Sequence, residues 1–238
     1  PLVLLHGGSG SWTHWVRNLE HLAQSRCVWA LDLPGCGDSA LPPQASDADS
    51  LAPFVGEVLD QAFEGQAVDV MGFSFGGLTA GLLAAEQPGL FKQMVMVGIP
   101  ALGLFEKTLP MRGMTPNMDE QQQRAVHRHN LVSMMFAHES SASEEVIDLQ
   151  IHNVSRDRLR KRRIARTDVL LGLQDRWACP VHGIWGAKDA LYKSTLERVP
   201  QVLHRLDSFQ VVPDAGHWVM FEKPDAFHAL VDKLLVKK

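Results

Sequence analysis

Cysteine is scarce in this chain: Cys27, Cys36 and Cys179 are the only three in 238 residues. They are too few and too scattered for a disulfide framework, and their spacing is not that of zinc ligands. A reducing cytoplasm is therefore the expected compartment. No run is long and apolar enough to span a bilayer, so no membrane partner is expected. The formal net charge of −4 lacks the basic surplus that a nucleic-acid partner would need. Internal repeats and low-complexity tracts are absent. His127, His129 and His138 have no companion carboxylate or cysteine at ligand spacing, so neither a metal nor an organic cofactor is expected. What remains is a length that suits one large α/β domain, with room for a subdomain.

The most informative stretch is Gly72-Phe73-Ser74-Phe75-Gly76. It lies between a buried-strand pattern, Ala67 to Met71, and a helix-like run from Gly77 to Glu86 that stops before Pro88. A sharp strand-to-helix turn there would lift the Ser74 hydroxyl clear of the sheet, and flanking glycines let neighbouring backbone approach. Composition alone would produce such a pattern in roughly one chain of this size in ten, so its context has to decide. Downstream, Gly186-Ala187-Lys188-Asp189 follows the apolar run Val181 to Trp185, and Asp214-Ala215-Gly216-His217-Trp218 follows Ser208 to Val212. Upstream, Leu2 to His6 leads into Gly7-Gly8, and Asp32-Leu33-Pro34-Gly35 follows a further strand.

Ser, then Asp, then His is the chain order of an α/β-hydrolase triad. With these motifs in this order the chain resembles the α/β-hydrolase superfamily along nearly its whole length. That resemblance implies an α/β fold, with a mostly parallel central sheet flanked by helices and a helical cap inserted over the active site. It implies two further strands ahead of the His-Gly turn, whereas this sequence opens at Pro1 inside a strand. The expectation is that those strands are missing from this sequence or that the protein is a shorter variant, and any targeting segment would be missing with them.

The strand–helix alternation agrees with this layout. Leu2 to His6, Val28 to Asp32, Val68 to Met71 and Met94 to Val97 read as strands buried on both faces. Thr13 to Gln24 and Leu51 to Phe63 read as the intervening helices. The alternation stops between Leu102 and Trp177, resumes at Val181 and ends with an amphipathic helix, Asp225 to Leu235. The expected division is a core sheet from residues 1–101 and 178–238 with a cap from 102–177. The methionines of the cap leave a homodimer open.

In the chemistry this implies, Ser74 is the nucleophile, His217 the general base and then acid, and Asp189 the group that orients the imidazole. The resemblance assigns the oxyanion hole to the backbone N–H of Phe75 and that of Gly8, with Ser9 as the competing position. Asp207 and Asp214 compete with Asp189; Asp214, three residues before His217, suits a turn. His6 is expected to shape the oxyanion turn, and Asp32 and Asp38 to tether loops. Ser9, Trp12 and Trp218 are the expected substrate contacts; His14 and Trp15 are further candidates for the pocket lining, and Trp15 suits a place under the helix equally well. The basic run from Arg156 to Arg166 is read as a helix, with Arg156, Arg160 and Arg163 on one face and Arg158, Arg162 and Arg166 on another. Most of it would be solvated, but one arginine could descend to meet a substrate carboxylate.

These residues lead to a serine hydrolase of a small ester, thioester or related acyl compound. A second reading is carbon–carbon hydrolysis of a diketo acid. Meta-cleavage-product hydrolases share the cap and triad and often carry Trp after the catalytic His, although Gly8-Ser9-Gly10 only loosely matches their glycine-rich turn. A third is a binding protein without catalysis. An aspartate-nucleophile dehalogenase or epoxide hydrolase is disfavoured by Ser74 itself.

Overall fold

The six apolar runs pair into one parallel sheet: β1 (Leu2–Leu5), β2 (Val28–Leu31), β3 (Val68–Phe73), β4 (Phe91–Val97), β5 (Val181–Gly186) and β6 (Ser208–Val212). The computed structural model describes residues 1–105, 108–159 and 161–235. Strand order is β2-β1-β3-β4-β5-β6. The chain therefore builds outward from β1 in one direction and from β3 in the other. Loops leaving the ends of β1 and β3 diverge, and a crevice opens between them at the carboxyl edge of the sheet.

Both faces are covered, which is why the central strands are largely apolar; the edge strands β2 and β6 are part-exposed. Val3 and Leu5 of β1 join one core with the helices Ala48–Phe63 and Phe75–Glu86. Leu2 and Leu4 join the other, with Trp15, Leu22 and the helix Pro224–Leu234. Among the described residues, no helix is long and apolar enough to cross a membrane.

Three helical expectations change. The second helix begins at Ala48, three residues earlier than its apolar periodicity suggests, because Asp47 and Ser50 form a reciprocal capping box. Thr13 to Gln24 is not one helix. A 3₁₀ turn, Trp12–Trp15, is followed by Leu19–Ala23, and between them buried Asn18 donates its amide to the Met220 carbonyl at 3.0 Å. The basic run is not a helix either. The helix Glu144–Ser155 ends at Arg156, and only Ile164–Arg166 closes a short 3₁₀ turn.

The physical cause of this last change is capture of backbone donors. Asp47 accepts from the Arg163 and Ile164 N–H groups, Asp157 accepts from Leu159 N–H, and Arg158 N–H bonds the Gly35 carbonyl at 2.8 Å. Arg156 and Arg158 reach the carbonyls of the 35–39 loop, and Arg156 pairs with Asp38. Arg160 lies outside the described residues.

Between β4 and β5 the chain leaves the sheet. Its described residues form the helices Glu120–Asn130, Glu144–Ser155 and Val169–Leu173 with short turns between them, and no strand. A cavity of about 690 Å³ lies between this excursion and the carboxyl edge of the sheet.

Candidate active site

Ser74 leaves β3 at φ +48°, ψ −115°, immediately before the helix Phe75–Glu86. This conformation strains a non-glycine residue, and the surroundings hold it there. The Ser74 N–H bonds the Val97 carbonyl at 2.8 Å, and its own carbonyl accepts from Gly77 and Leu78. The flanking glycines are sterically required. A Cβ on Gly72 would come within 2.5 Å of Gly77 Cα, and one on Gly76 within 2.3 Å of the Leu5 carbonyl oxygen. The turn thus works because three backbone segments touch.

His217 and Asp189 meet from loops that follow β6 and β5. Asp189 Oδ2 accepts from His217 Nδ1 at 2.7 Å, and both side chains are buried. Asp189 Oδ1 accepts the Leu191 N–H at 2.9 Å, which fixes the carboxylate plane. The imidazole packs on the Phe73 ring, with centroids 5.0 Å apart, and Gly98 lies so close that a Cβ there would be 3.1 Å from it. Nδ1 faces Asp189, so Nε2 is the nitrogen left for exchange. Ser74 and His217 line the same cavity.

The competing carboxylates are elsewhere. Asp207 accepts the Val181 N–H at the opposite edge of the sheet. Asp214 is exposed and pairs with Lys188, Lys223 and His138; the lysine hydrogen bonds hold its pKa below the usual carboxylate range.

The His-Gly turn supplies a second set of donors. His6 Nε2 accepts the Leu33 N–H at 2.9 Å, so the ring proton sits on Nδ1, which donates to the Gly7 carbonyl at 2.7 Å. Burial lowers its pKa to about 4, and the neutral ring ties β1 to the chain after β2. His14 Nδ1 accepts the Gly7 N–H at 3.2 Å, which leaves the proton on Nε2, buried without a partner. Burial, then His6 and His217, push its pKa well down. Among the described residues, the N–H groups of Gly8 and Phe75 have no hydrogen-bond acceptor, and both residues line the cavity. The Phe75 N–H is also one of the free donors at the start of a twelve-residue helix.

Of the expected substrate contacts, Ser9 lines the cavity at φ +52°, its hydroxyl donating to Asp157 at 2.7 Å. Trp12 and Trp218 do not line it. The 3₁₀ turn buries His14 and Trp15 and leaves Trp12 41% exposed, with its N–H on Asp32. Trp218 is buried; it stacks on Phe136 and Phe221 and donates its indole N–H to the His14 carbonyl at 2.9 Å.

Two further residues also shape the site: Glu222, outside every motif, and Arg162, one of the arginines of the basic run. Glu222 accepts from the Ala137 and His138 N–H groups at 3.0 Å, Ser141 Oγ at 2.8 Å and Gly216 N–H at 2.7 Å. It therefore ties the excursion to the residue before His217. The approach is close enough that a Cβ on Gly216 would sit 2.6 Å from Ala137 N. Arg162 is the second: it lines the cavity beside Gly8, with Nη2 on Asp157 at 2.6 Å and its guanidinium carbon 5.4 Å from the Phe75 ring centre. Nothing in the local sequence separates either residue from its charged neighbours.

The chain belongs to the alpha/beta hydrolase family, whose model matches residues 2–230. It is similar to the dihydrolipoyllysine-residue acetyltransferase component of the acetoin cleaving system. Identity is 30% over 234 residues with the Pseudomonas putida protein (93% of this chain, 60% of that one), and 26% over 245 residues with the Cupriavidus necator protein (98% and 63%). The chain thus spans about three fifths of the length of these curated relatives. Among solved structures, a putative aryl esterase from Burkholderia cenocepacia superposes with a TM-score of 0.78 at 20% identity, covering 99% of this chain and 89% of that one. The meta-cleavage product hydrolase of Pseudomonas fluorescens superposes with a TM-score of 0.74 at 20% identity, covering 98% and 89%. At these identities the structural likeness establishes the fold.

Proposed function

We propose that the protein is a serine hydrolase that cleaves a small ester, thioester or related acyl compound through an acyl-enzyme. The observation that carries this reading is the shared cavity of Ser74 and His217, with His217 Nδ1 bonded to the buried Asp189 carboxylate. Ser74 Oγ attacks the acyl carbonyl carbon while His217 Nε2 takes its proton. The tetrahedral oxyanion is received by the Phe75 and Gly8 N–H groups, which have no acceptor among the described residues and belong to two residues that line the cavity. His217 then gives the proton to the leaving oxygen or sulfur. Water enters, loses a proton to His217, and releases the acid and Ser74. Asp189 holds the imidazole tautomer and stabilises the imidazolium. The excursion of residues 102–177 acts as the cap that excludes bulk water and shapes the acyl pocket.

Turnover of aryl esters graded from acetate to decanoate, with Ser74→Ala as the paired control, tests the proposal. A chain-length optimum that vanishes in the variant is expected. A folded protein that turns over none of the series, and that a fluorophosphonate leaves unlabelled at Ser74, would be a binding protein instead.

The second reading, hydrolysis of a carbon–carbon bond in a diketo acid, is favoured by one observation: among the described residues, the charged side chains lining the cavity are Arg162 and Arg166. A dienone diketo acid is the compound that tests it. Its turnover in the absence of ester turnover would replace the first reading.

A further inference from the structure

The described lining of the cavity carries charge of one sign. Among the described residues that line it there are two arginines and no carboxylate. Arg162 and Arg166 come from the basic run, but they reach the cavity because that run is pinned as a loop. Asp47 fixes the backbone at 163–164, and Asp157 holds Arg162 Nη2. Of the other basic side chains described there, Arg156 and Arg158 are taken up by the 35–39 loop, and Lys161 and Arg163 are exposed.

Arg162 is not fully satisfied. Its Nε is buried without a hydrogen-bond partner, and Asp157 is its one ion-pair partner among the described residues. That Asp157 carboxylate is itself shared with the Ser9 hydroxyl, the Leu159 N–H and the Cys36 thiol. A buried donor left unmade is costly unless a ligand completes it. Arg166 stands exposed among the cavity-lining residues and has no ion pair among the described residues.

The position of the arginine narrows the ligand. Arg162 Nε is 2.9 Å from where a Gly8 Cβ would lie, and its guanidinium lies over the Phe75 ring. Gly8 and Phe75 are the two residues whose N–H groups would receive the oxyanion. An anion meeting Arg162 would therefore lie only a few atoms from the scissile carbonyl. A planar guanidinium with free donors suits a carboxylate at that point.

We infer that Arg162, with Arg166 at the rim, forms a carboxylate subsite, and that the substrate is an acyl compound whose acyl part carries a carboxylate close to the scissile carbonyl, such as a half-ester of a short dicarboxylic acid. This inference rests on the proposed hydrolase reading for its chemistry but not for its binding test.

The probes are methyl hydrogen succinate and its uncharged isostere, methyl isocaproate. The wild-type protein should hydrolyse the anionic ester with the higher kcat/KM. In Arg162→Gln the anionic-to-neutral ratio should fall about 10- to 100-fold, the range for a charge-assisted hydrogen bond. Arg162→Lys should fall between the two, since it keeps a cation but loses the fork. A wild-type protein that prefers the neutral ester, or a ratio untouched in both variants, overturns the subsite. Wild-type selectivity and the lysine variant decide the matter even if Arg162→Gln does not fold.

Ligand-observed NMR titration of Ser74→Ala protein separates this inference from the hydrolase reading. Binding of methyl hydrogen succinate about tenfold tighter than methyl isocaproate or better, lost when Arg162→Gln is added, supports the subsite even where no ester is turned over. Equal binding of the two probes refutes it even where esters are hydrolysed.

Discussion

The sheet edge and the excursion that faces it hold their residues in different ways. At the sheet edge, Ser74, Asp189 and His217 leave the ends of β3, β5 and beyond β6 on short turns, so strand register sets their spacing. Their fixing contacts are backbone-to-backbone or come from buried partners such as Phe73 and Gly98. In the excursion, position depends on a few carboxylates that gather backbone N–H groups: Asp47, Asp157 and Glu222. One region is placed by its scaffold and the other by individual side chains. The first should tolerate loss of a functional group with little change in stability, and the second should not.

The largest expected effect is on the sheet side. Ser74→Ala should lower aryl-ester turnover by about four orders of magnitude or more while leaving the thermal unfolding midpoint near that of the wild type. Asp189→Asn should come next, with kcat down about 10³–10⁴-fold, because the amide favours the wrong imidazole tautomer. Circular dichroism alongside the assay tests the contrast: unfolding of either variant would show that these residues also hold the scaffold.

A pH series probes the same region through stability. Folded His6 takes up its proton only near pH 4, whereas an unfolded histidine does so near 6.5. Between those values the unfolded chain binds more protons, so the stability is complete above pH 6.5 and is lost as pH falls toward 4. The loss attributable to His6 is about 3 kcal/mol, and buried His14 adds to it in the same direction. Urea unfolding between about pH 7 and pH 4.5 measures the slope; a flat profile would mean that folding leaves the proton affinity of both rings unchanged.

Glu222 sharpens the comparison because it bridges the two regions. Glu222→Ala leaves the Gly216, Ala137 and His138 N–H groups without their acceptor. Stability should fall by about 2 kcal/mol, and turnover should fall about tenfold or more as the His217 loop shifts. A loss of stability with no change in kcat would confine Glu222 to the excursion. The smallest effect belongs to Arg156, whose pair with Asp38 is exposed. Arg156→Ala should change stability by less than about 1 kcal/mol and leave ester turnover where it was, as denaturation and the same assay would report.

Much of the sheet edge is legible in the order of residues alone. The apolar runs located all six strands, because burial on both faces leaves an uninterrupted apolar signature. The elbow was legible for a similar reason: a strained turn with backbone on either side admits only small residues, and Gly72 and Gly76 record that in the sequence. The basic run misled because helical periodicity in a charged segment has no apolar face to support it. Its backbone donors went instead to Asp157 nearby, to Gly35, and to Asp47, which lies 116 residues from Arg163. Trp12 and Trp218 misled because proximity in sequence to a site does not set which way a ring turns.

The sequence by itself determined the family, the parallel α/β architecture and the order of the chemistry-bearing residues, because each is written in local periodicity or in a turn that few residues can make. The sequence favoured Asp189 over Asp207 and Asp214, and the tertiary structure brings it to His217; tertiary structure alone decided that Arg162 stands beside Gly8 and that Glu222 joins the excursion to the His217 loop. Those choices depend on hydrogen bonds and packing between segments mostly far apart along the chain. Such contacts form only once the sheet has brought the segments together, and they leave no periodic trace in the residues that make them.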